Sequence, residues 1–462
     1  RAAPGQSVFA PLHDGNEGLG ARLRLIEQAE ASLDLQYFLI NEDLAGALVA
    51  IALLDAADRG VKVRLLVDDV FTKSPDDKLA MLNEHPNIET RLFNPAARPG
   101  PKPLSFVTDF ARINRRMHNK TFTADGAVAI VGGRNIGDEY YQIDTTSEFA
   151  DFDLVVVGPA IAQISRSFDV YWNDDWAVPM EVVQENPSPE KTRIARARLE
   201  ALVEPANRQY EVAVNDLYLE RLQQRLAPLY YGQMEVVTDP PEKLRVPSGK
   251  GKRVLAEELL ARFKNADREI ILLTPYFVPE DYGARFFAEL AQSGVRVRIY
   301  TNSLLANNHP YVHAGYERHR KMLLSAGVEL YELRGDALQE LGLVPPESDK
   351  KVTMHTKLAL IDDDTIFVGS LNFDPRSVKQ NTEIGTFIKS PSFTSVLLER
   401  LDVGQKLYTY RLGLSDDGDV LWYYDNPAAP TVTDKEPGRT LKSDLIIGVT
   451  RFLGLEPVSY TH

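Results

Sequence analysis

The chain contains no cysteine, which excludes disulfide bonds, thiolate nucleophiles and cysteine-ligated zinc. It also lacks an apolar run of the roughly 18 residues that a membrane-spanning helix needs. Its 52 basic residues face 66 acidic ones, and the net charge of −14 argues against non-specific binding to nucleic acid. The first residue is Arg1 rather than Met, so an upstream leader or anchor would not be visible. Apolar residues make up 44% of the 462 residues, enough for a large buried core.

One pattern occurs twice. MHNKTFTADGAVAIVGGRN covers residues 117–135, and MHTKLALIDDDTIFVGSLN covers residues 354–372. Five residue types keep the same relative positions in both copies: His118, Lys120, Asp125, Gly132 and Asn135, then His355, Lys357, Asp362, Gly369 and Asn372. The segments around each copy repeat the same order of helix and strand patterns. This repetition predicts two related halves that form one large unit.

The repeat divides the chain into four segments. They are an N-terminal half over residues 1–180, a connector rich in charge and proline over 181–252, a C-terminal half over 253–412 and a polar tail over 413–462. Both halves show β-α-β patterns typical of an α/β fold. Two helices are predicted to stop at Gly60 and Gly294, and a strand is predicted over residues 270–278. In the tail, an apolar stripe over residues 441–453 packs on the domain or contacts a membrane.

Each copy of the repeat is predicted to form a β-hairpin with Asp125 or Asp362 at its turn. Aspartate at a turn commonly bonds nearby backbone, so we expect a structural role for both residues. With a turn near Asp125, the return strand brings Gly133 opposite His118. Gly133 and its counterpart Ser370 are small enough to leave room for a ligand beside the histidine.

The two histidines predict phosphodiester chemistry. Histidine suits nucleophilic and proton-transfer work because both of its forms are accessible near neutral pH. The lysine of each motif, Lys120 or Lys357, supplies positive charge, and the asparagines, Asn135 and Asn372, supply hydrogen-bond donors for non-bridging phosphate oxygens. One imidazole would attack phosphorus to give a phosphohistidine, while the other protonates the leaving oxygen and later deprotonates an alcohol or water. This scheme requires neither a metal nor a cofactor.

A carboxylate behind each histidine would fix its tautomer and stabilise its charged form. Alignment of the strands that follow the two motifs, ADFDLVVVGP and TEIGTFIKSP, places Asp151 opposite Glu383. We predict these two as the orienting carboxylates. Glu148 is an alternative to Asp151 in the first half, where the alignment contains an insertion.

The paired His-x-Lys-x(4)-Asp motifs resemble the phospholipase D superfamily. The segments TDFARINRRMHNK, GGRNIGDEYY, TNSLLANNHPYVHAGYERHRK, GVELYEL and GSLNFDPRS resemble bacterial cardiolipin synthases of the C type. The resemblance covers nearly all of the chain. It implies two pseudo-symmetric α/β/α sandwich halves with the active site at their interface, His118 as nucleophile and His355 as general acid and base.

The same resemblance implies a lipid substrate. Family members transfer a phosphatidyl group to phosphatidylglycerol, and C-type members are associated with phosphatidylethanolamine as donor. It therefore implies peripheral association with a bacterial membrane. Within VHAGY, His313 is predicted to contact the polar head of the acceptor, with a structural role as the alternative.

Residues 90–124 concentrate positive charge and aromatic side chains near His118. The cations are Arg91, Arg98, Lys102, Arg112, Arg115, Arg116 and Lys120, against the single acid Asp109, and the aromatics are Phe93, Phe106, Phe110 and Phe122. Such a region suits an anionic bilayer or single-stranded nucleic acid, and a solvated loop with core phenylalanines is the alternative. We predict Arg115 and Arg116 as substrate-binding residues.

Three functions fit the sequence. The first is a cardiolipin synthase, favoured by the resemblance along the whole chain. The second is a hydrolase of phospholipids or nucleic acid, because the same intermediate can accept water. The third is a catalytically silent membrane-binding module, which the two complete motifs disfavour. The overall negative charge disfavours nucleic acid as a partner, and no pattern indicates an oligomeric state.

Overall fold

The computed structural model describes residues 2–69, 76–96, 109–143, 146–185, 187–203 and 208–452. The chain divides into two compact units. Unit 1 comprises Arg1–Asp144, Asp151–Lys252 and Gln380–Thr386, and unit 2 comprises Thr145–Ala150, Arg253–Lys379 and Phe387–His462. Each unit thus includes one short segment from the opposite half of the sequence. The predicted connector, residues 181–252, clusters with unit 1.

The strands and helices are numbered in chain order. The strands are β1 (Ser7–Leu12), β2 (Ser32–Tyr37), β3 (Lys62–Asp68), β4 (Ile88–Phe93), β5 (Thr121–Ala124), β6 (Val128–Gly132), β7 (Ser147–Ala150), β8 (Asp153–Val157), β9 (Ala177–Pro179), β10 (Tyr230–Thr238), β11 (Glu269–Leu273), β12 (Arg296–Asn302), β13 (Glu329–Leu333), β14 (Lys351–Met354), β15 (Leu358–Ile361), β16 (Thr365–Gly369), β17 (Ile384–Lys389), β18 (Thr409–Leu414), β19 (Val420–Tyr424) and β20 (Thr431–Thr433). The α-helices are α1 (Gly15–Gln28), α2 (Leu44–Asp58), α3 (Asp76–Asn83), α4 (Phe110–Ile113), α5 (Ala160–Trp172), α6 (Met180–Val183), α7 (Pro189–Val203), α8 (Arg208–Val214), α9 (Tyr218–Gln223), α10 (Val254–Lys264), α11 (Glu280–Gln292), α12 (Pro310–Glu317), α13 (Arg320–Ser325), α14 (Ala337–Glu340), α15 (Pro375–Lys379), α16 (Pro391–Tyr408) and α17 (Leu441–Phe452). Two short 3-10 helices cover Asp138–Tyr140 and Pro241–Arg245.

The main sheet of unit 1 has the strand order β10-β1-β8-β6-β5-β2-β3-β4-β9. Strands β2, β3 and β4 run parallel, and the other pairings are antiparallel. The parallel strands are joined through helices such as α2, the connection that parallel strands require. This α/β arrangement confirms the predicted fold class for unit 1.

The main sheet of unit 2 repeats the central part of that order, as β16-β15-β11-β12-β13-β18-β19-β20. Strands β11, β12 and β13 are parallel, and the hairpin β15-β16 lies antiparallel beside β11. In unit 1 the hairpin β5-β6 lies beside β2 in the same way. Each copy of the sequence repeat therefore forms the same hairpin next to the first parallel strand of its sheet.

The two helix ends predicted from the sequence are confirmed. The side chain of Asp43 accepts a hydrogen bond from the Gly46 amide and caps α2. Gly60 and Gly294 follow α2 and α11 with φ of 98° and 101°, as the predicted helix stops require. The predicted strand over residues 270–278 is too long, because β11 ends at Leu273. Pro275 has no N–H to donate and cannot continue the ladder.

A small parallel sheet in unit 2 pairs β7 with β14, with Ser147 opposite Lys351 and Ala150 opposite Met354. Strand β7 lies in the segment Thr145–Ala150, which belongs to unit 2. The residues before and after this segment in the sequence belong to unit 1. Because β14 ends immediately before His355, this pairing fixes the backbone that carries the second histidine.

The tail ends in α17, whose described side chains differ in exposure. Ile447 is buried against Leu304 and Ala314. Leu441 and Leu445 are 89% and 69% exposed. The side chains of Ile446, Val449 and Phe452, and all of Leu453, lie outside the described part of the chain. Over the described ranges, no helix is both long and apolar enough to cross a bilayer.

Candidate functional site

The aspartates of the two hairpins hold their turns in the same way. Asp125 accepts hydrogen bonds from the amides of Glu30, Ala31 and Ser32, at 2.9, 2.7 and 2.8 Å. Asp362 accepts from the amides of residues 267–269 at 2.8 to 3.2 Å. Both have φ of 53°. Partial burial opposes ionisation of Asp125, but the three backbone donors outweigh it and hold its pKa below the usual value.

The register of the first hairpin differs by one residue from the predicted one. Ala124 pairs with Val128 and Thr121 pairs with Val131, so three residues form the turn. The same register extended would place Arg134, not Gly133, opposite His118. Gly133 has a different constraint, since a Cβ there would lie 2.2 Å from Oδ1 of Asp151. A side chain at position 133 would displace that carboxylate.

His118 is anchored by its own amide and by the two residues that precede it. Met117 is buried in a cluster with Leu66, Phe93 and Tyr171. The His118 amide donates to the Thr382 carbonyl at 2.9 Å, and the Thr382 amide donates to the Arg116 carbonyl at 3.0 Å. The segment Gln380–Thr386 thus runs parallel to the chain that carries His118.

This pairing brings Glu383 to the histidine. Nδ1 of His118 lies 2.8 Å from Oε2 of Glu383, and both side chains are buried. The Phe38 ring meets the imidazole edge to face, with centroids 4.7 Å apart. An ionised carboxylate can only accept, so the contact places the proton on Nδ1 and makes Nε2 the basic nitrogen. This arrangement suits a nucleophilic imidazole.

The sequence did not reveal a buried ion pair next to this histidine. Asp68 accepts from Nη1 of Arg116 at 3.1 Å and from the Met117 amide at 3.0 Å, and the side chains of Asp68 and Arg116 are fully buried. Burial raises the pKa of Asp68 to about 6, against the opposing effect of Arg116. Because Arg116 and Met117 precede His118, their contacts with Asp68 fix the backbone that leads to this histidine. Position 68 ends a parallel strand, which is the one signal that pointed to it.

Lys120 and Asn135 are both buried in unit 1. Nζ of Lys120 donates to the His118 carbonyl at 2.7 Å and lies 5.3 Å from the centroid of the Phe38 ring. Nδ2 of Asn135 donates to the Tyr140 hydroxyl at 2.9 Å. Among the described residues, Oδ1 of Asn135 has no hydrogen-bond partner. The structure therefore places a cation and a polar side chain inside the same buried unit as His118.

His355 has a different environment in unit 2. Its amide donates to the Ala150 carbonyl at 2.8 Å, and its ring stacks on Phe149 with centroids 5.3 Å apart. Nζ of Lys357 lies 3.0 Å from Nδ1 and 3.1 Å from Nε2 of the same imidazole. The alternative carboxylate, Glu148, pairs with Lys350 at 3.2 Å. The second motif therefore places the amine of its lysine directly beside the imidazole.

The other motif residues are also buried. Ser370 and Asn372 follow β16, and Phe373 after them donates its amide to the Thr274 hydroxyl at 3.0 Å. Within the described ranges, Oδ1 of Asn372 makes no hydrogen bond. Asp151 is buried in unit 1, where its Oδ1 accepts from the Phe152 amide at 2.8 Å. Glu383, rather than Asp151, is the carboxylate that unit 1 brings to His118.

His313 lies inside unit 2. It makes a 2.7 Å contact from Nε2 to Oε1 of Glu436, which also accepts from Arg320 at 2.6 Å. Arg320 contacts Glu332 at 2.8 Å. Although burial opposes it, His313 and Arg320 hold the pKa of Glu436 well below its usual range. These contacts tie the tail to α12, and the predicted acceptor contact of His313 stays a prediction.

The basic and aromatic region near His118 has mostly internal contacts. Phe93 and Phe122 belong to the core, whereas Phe110 is exposed. Arg112 pairs with Asp109, and Arg115 donates to the Leu244 carbonyl at 3.0 Å. Arg98, Lys102 and Phe106 lie outside the described residues. In the described ranges, no group of three or more histidines, aspartates or glutamates is placed to hold a metal ion.

The two α/β units each carry a buried histidine and lysine at the base of an equivalent hairpin, so the motif and its structural setting are duplicated. The chain belongs to the family described as "Cardiolipin synthase, PLD-like domain", whose model matches residues 23–172 and 259–402. The predicted resemblance to the phospholipase D superfamily is thereby confirmed. The protein is a phosphatidyltransferase of that superfamily.

Relatives match along almost the whole chain. "Cardiolipin synthase C" of Escherichia coli (strain K12) is 36% identical over 98% of this chain and 96% of its own length. An uncharacterised protein of Helicobacter pylori (strain ATCC 700392 / 26695) is 32% identical over 91% of this chain and 81% of its own. The crystal structure of a phosphatidylserine synthase from Haemophilus influenzae superposes with a TM-score of 0.63 over 97% of this chain and 93% of its own, at 15% identity. That likeness concerns the fold alone.

Proposed function

We propose that the protein is a cardiolipin synthase that transfers a phosphatidyl group to phosphatidylglycerol through a phosphohistidine on His118. The observation that carries the proposal is the 2.8 Å contact between Nδ1 of His118 and Glu383, within a chain that matches a cardiolipin synthase over nearly its full length. With Nδ1 protonated, Nε2 has the lone pair that attack on phosphorus requires.

The reaction divides into two displacements. Nε2 of His118 forms a bond to phosphorus as the bond to the donor's head alcohol breaks, and that alcohol leaves with a proton from His355. The hydroxyl of phosphatidylglycerol then gives a proton to His355 as its oxygen bonds to phosphorus and the phosphorus–nitrogen bond breaks. The first step leaves His355 neutral, which is the form that the second step needs as a base.

The lysines and asparagines have a supporting role in this proposal. Lys120 and Lys357 balance the charge of the non-bridging oxygens, and the amides of Asn135 and Asn372 donate hydrogen bonds to them. Burial strengthens these interactions, because fewer water molecules screen them. We propose phosphatidylethanolamine as donor, with ethanolamine as the leaving alcohol, and assign Arg115, Arg116 and His313 to substrate contact as the sequence suggested.

We propose peripheral association with a membrane surface. The exposed Leu441 and Leu445 on α17 give an apolar contact of the kind that interfacial helices use. Their neighbour Asp444 pairs with Arg439, which reduces the charge next to them. The phospholipids that both displacements require are available at such a surface.

A lipid product profile tests the proposed reaction. Purified protein is incubated with vesicles of phosphatidylglycerol alone and then with phosphatidylethanolamine added, and the products are measured by mass spectrometry. We expect cardiolipin from the wild type, more of it with the added donor, and none from His118→Ala. His85→Ala serves as the matched control, since His85 contacts Asp58 away from the motifs.

Other products would contradict the proposal. Phosphatidic acid as the main product would show that water is the acceptor and that the enzyme is a hydrolase. Cleavage of single-stranded nucleic acid without lipid products would assign it another substrate. Full activity in His118→Ala would exclude the phosphohistidine.

A further inference from the structure

Unit 2 contains a cavity of about 530 Å³ that none of the predicted site residues lines. It lies between α10, α11 and the segment from Leu371 to Lys379. Its wall includes Leu259, Leu260, Val278, Phe286, Phe373 and Val378. We call it the α10–α11 groove. Its volume falls in the range of about 300–1,000 Å³ that is usual for sites that bind small molecules.

The groove is open to solvent along an apolar edge. Tyr282 lines it and is 70% exposed, and Phe286, one turn further along α11, is half-buried. Apolar surface that remains accessible in a well-packed domain is a cost unless something covers it. An apolar ligand would cover it.

The charges around the groove cancel. Three cations and three acids line it: Arg253, Lys264 and Lys379, with Glu257, Glu280 and Asp374. Arg253 lies 3.4 Å from Glu257, and Lys379 lies 2.6 Å from Glu280. A balanced rim gives no net attraction for a phosphate or a free cation. The matching occupant is therefore uncharged, which favours a hydrocarbon chain over a headgroup.

The groove borders the end of the second motif. Leu371 and Phe373 line it, and Asn372 lies between them in the sequence. Phe373 is held by two backbone contacts, from its amide to the Thr274 hydroxyl at 3.0 Å and from the Val278 amide to its carbonyl at 2.8 Å. The wall of the groove thus includes the last residue but one of the second motif and the residue that follows the motif.

The backbone is strained at the entrance. Glu280 begins α11 with φ of 53°, a conformation that non-glycine residues adopt at a cost, and its carboxylate is held by Lys379 of α15. Strain of this kind persists where the surrounding structure enforces it. Here it sets the spacing of α11 from α15, which form two walls of the groove.

We propose that the α10–α11 groove binds one fatty acyl chain of a phospholipid substrate. The inference rests on the proposed function, since it takes the polar part of the same lipid to lie at Asn372. The groove then selects substrates by chain length, independently of the phosphate chemistry. In the wild type, KM for short-chain lipids below their micelle concentration falls roughly three- to fourfold per added methylene until the groove is full.

A substitution that obstructs the α10–α11 groove tests whether the groove takes part in substrate binding. Ala261 lines it, so Ala261→Trp fills part of the volume, whereas Glu289→Trp adds the same ring on the exposed side of α11. We expect Ala261→Trp to lower kcat/KM at least tenfold with eighteen-carbon chains and less than twofold with four-carbon chains. Glu289→Trp should change neither. An equal loss with both chain lengths, or no loss, would overturn the proposal.

A binding measurement does not depend on turnover. Phe286→Trp in the His118→Ala background places a fluorophore in the groove, and vesicles of phospholipid brominated on the acyl chain quench tryptophan on contact. We expect stronger quenching than for Glu289→Trp in the same background, after subtraction of the native tryptophans. Equal quenching of both would show general contact with the bilayer and refute the groove.

The two proposals fail separately. If the wild type makes cardiolipin but Phe286→Trp is not quenched and Ala261→Trp treats all chain lengths alike, the groove is refuted and the proposed function stands. If Phe286→Trp is quenched more strongly than Glu289→Trp but the wild type makes no cardiolipin, the proposed function is refuted. The proposal that the groove binds an acyl chain then stands.

Discussion

Nδ1 of His118 and Oε2 of Glu383 lie 2.8 Å apart, although 265 positions separate the two residues in the chain. The contact exists because Gln380–Thr386 belong to unit 1 and bond to the backbone on both sides of Met117. An orienting carboxylate raises the basicity of the opposite ring nitrogen and fixes the tautomer. The first histidine of the repeat thus depends on a residue encoded after the second.

Glu383→Gln should leave the protein folded and reduce kcat by about 10²-fold or more, because a neutral amide can stabilise the wrong imidazole tautomer. Steady-state kinetics with phospholipid vesicles provide the measurement. Glu399→Gln, on the exposed side of α16, is the control and should behave as the wild type. Wild-type kcat in Glu383→Gln would show that the contact does not matter for the reaction.

Asp68→Asn should destabilise unit 1 by about 3–5 kcal/mol, since it leaves the buried Arg116 guanidinium without its charge partner. Urea denaturation followed by circular dichroism measures the change. The double variant Asp68→Leu with Arg116→Met removes both charges and should recover most of the stability. If that variant folds but binds lipid poorly, Arg116 also contacts the substrate. Full activity would restrict it to a structural role.

Asp125→Ala should cost about 1–3 kcal/mol of stability, because three backbone amides lose their shared acceptor. The thermal midpoint should fall, while activity per folded molecule changes by less than about twofold. Asp363→Ala removes an exposed aspartate from the other hairpin turn and should have little effect. A stable but inactive Asp125→Asn would contradict the structural assignment.

The lowered pKa of Glu436 predicts that the free energy of unfolding decreases in acid. Its pKa is depressed in the folded state, so the native protein binds fewer protons there than the unfolded chain. The stabilisation is complete above the ordinary value of 4.5 and decreases as the pH falls below it. Between pH 7 and pH 3.5 we expect this group to contribute of order 1 kcal/mol or more to the decrease.

The comparison of the wild type with Glu436→Gln isolates that contribution. The variant should be less stable at pH 7 and should lose less on acidification. Glu317→Gln alters another partner of Arg439 and serves as the control. Parallel stability curves for wild type and Glu436→Gln would show that the carboxylate does not titrate in this window.

Local patterns predicted the repeated parts of the molecule well. The duplicated motif located both hairpins, and the glycines after α2 and α11 located the helix ends, because these features depend on residues close in sequence. The one-residue error in the hairpin register arose at the turn. The turn consists of three residues, Asp125 to Ala127, and its centre is therefore Gly126, whereas the prediction centred the turn near Asp125.

Contacts between distant segments were harder to predict. Strand alignment identified Glu383 as a carboxylate of interest, but no pattern records that residues 380–386 pack in unit 1. Phe38 and Asp68 each lie at the end of a parallel strand, a position that many residues occupy without touching a site. Phe149 stacks on His355 only because β7 pairs with β14, and a four-residue strand carries too little periodicity to predict its partner.

Residues 380–386 lie in the C-terminal half of the sequence but belong to unit 1, and this limits how the gene can be divided. A chain cut after Lys252 would retain His118, its core and its sheet, yet lose the glutamate that contacts His118. Coexpression of the two fragments is therefore the minimum for recovering that pair.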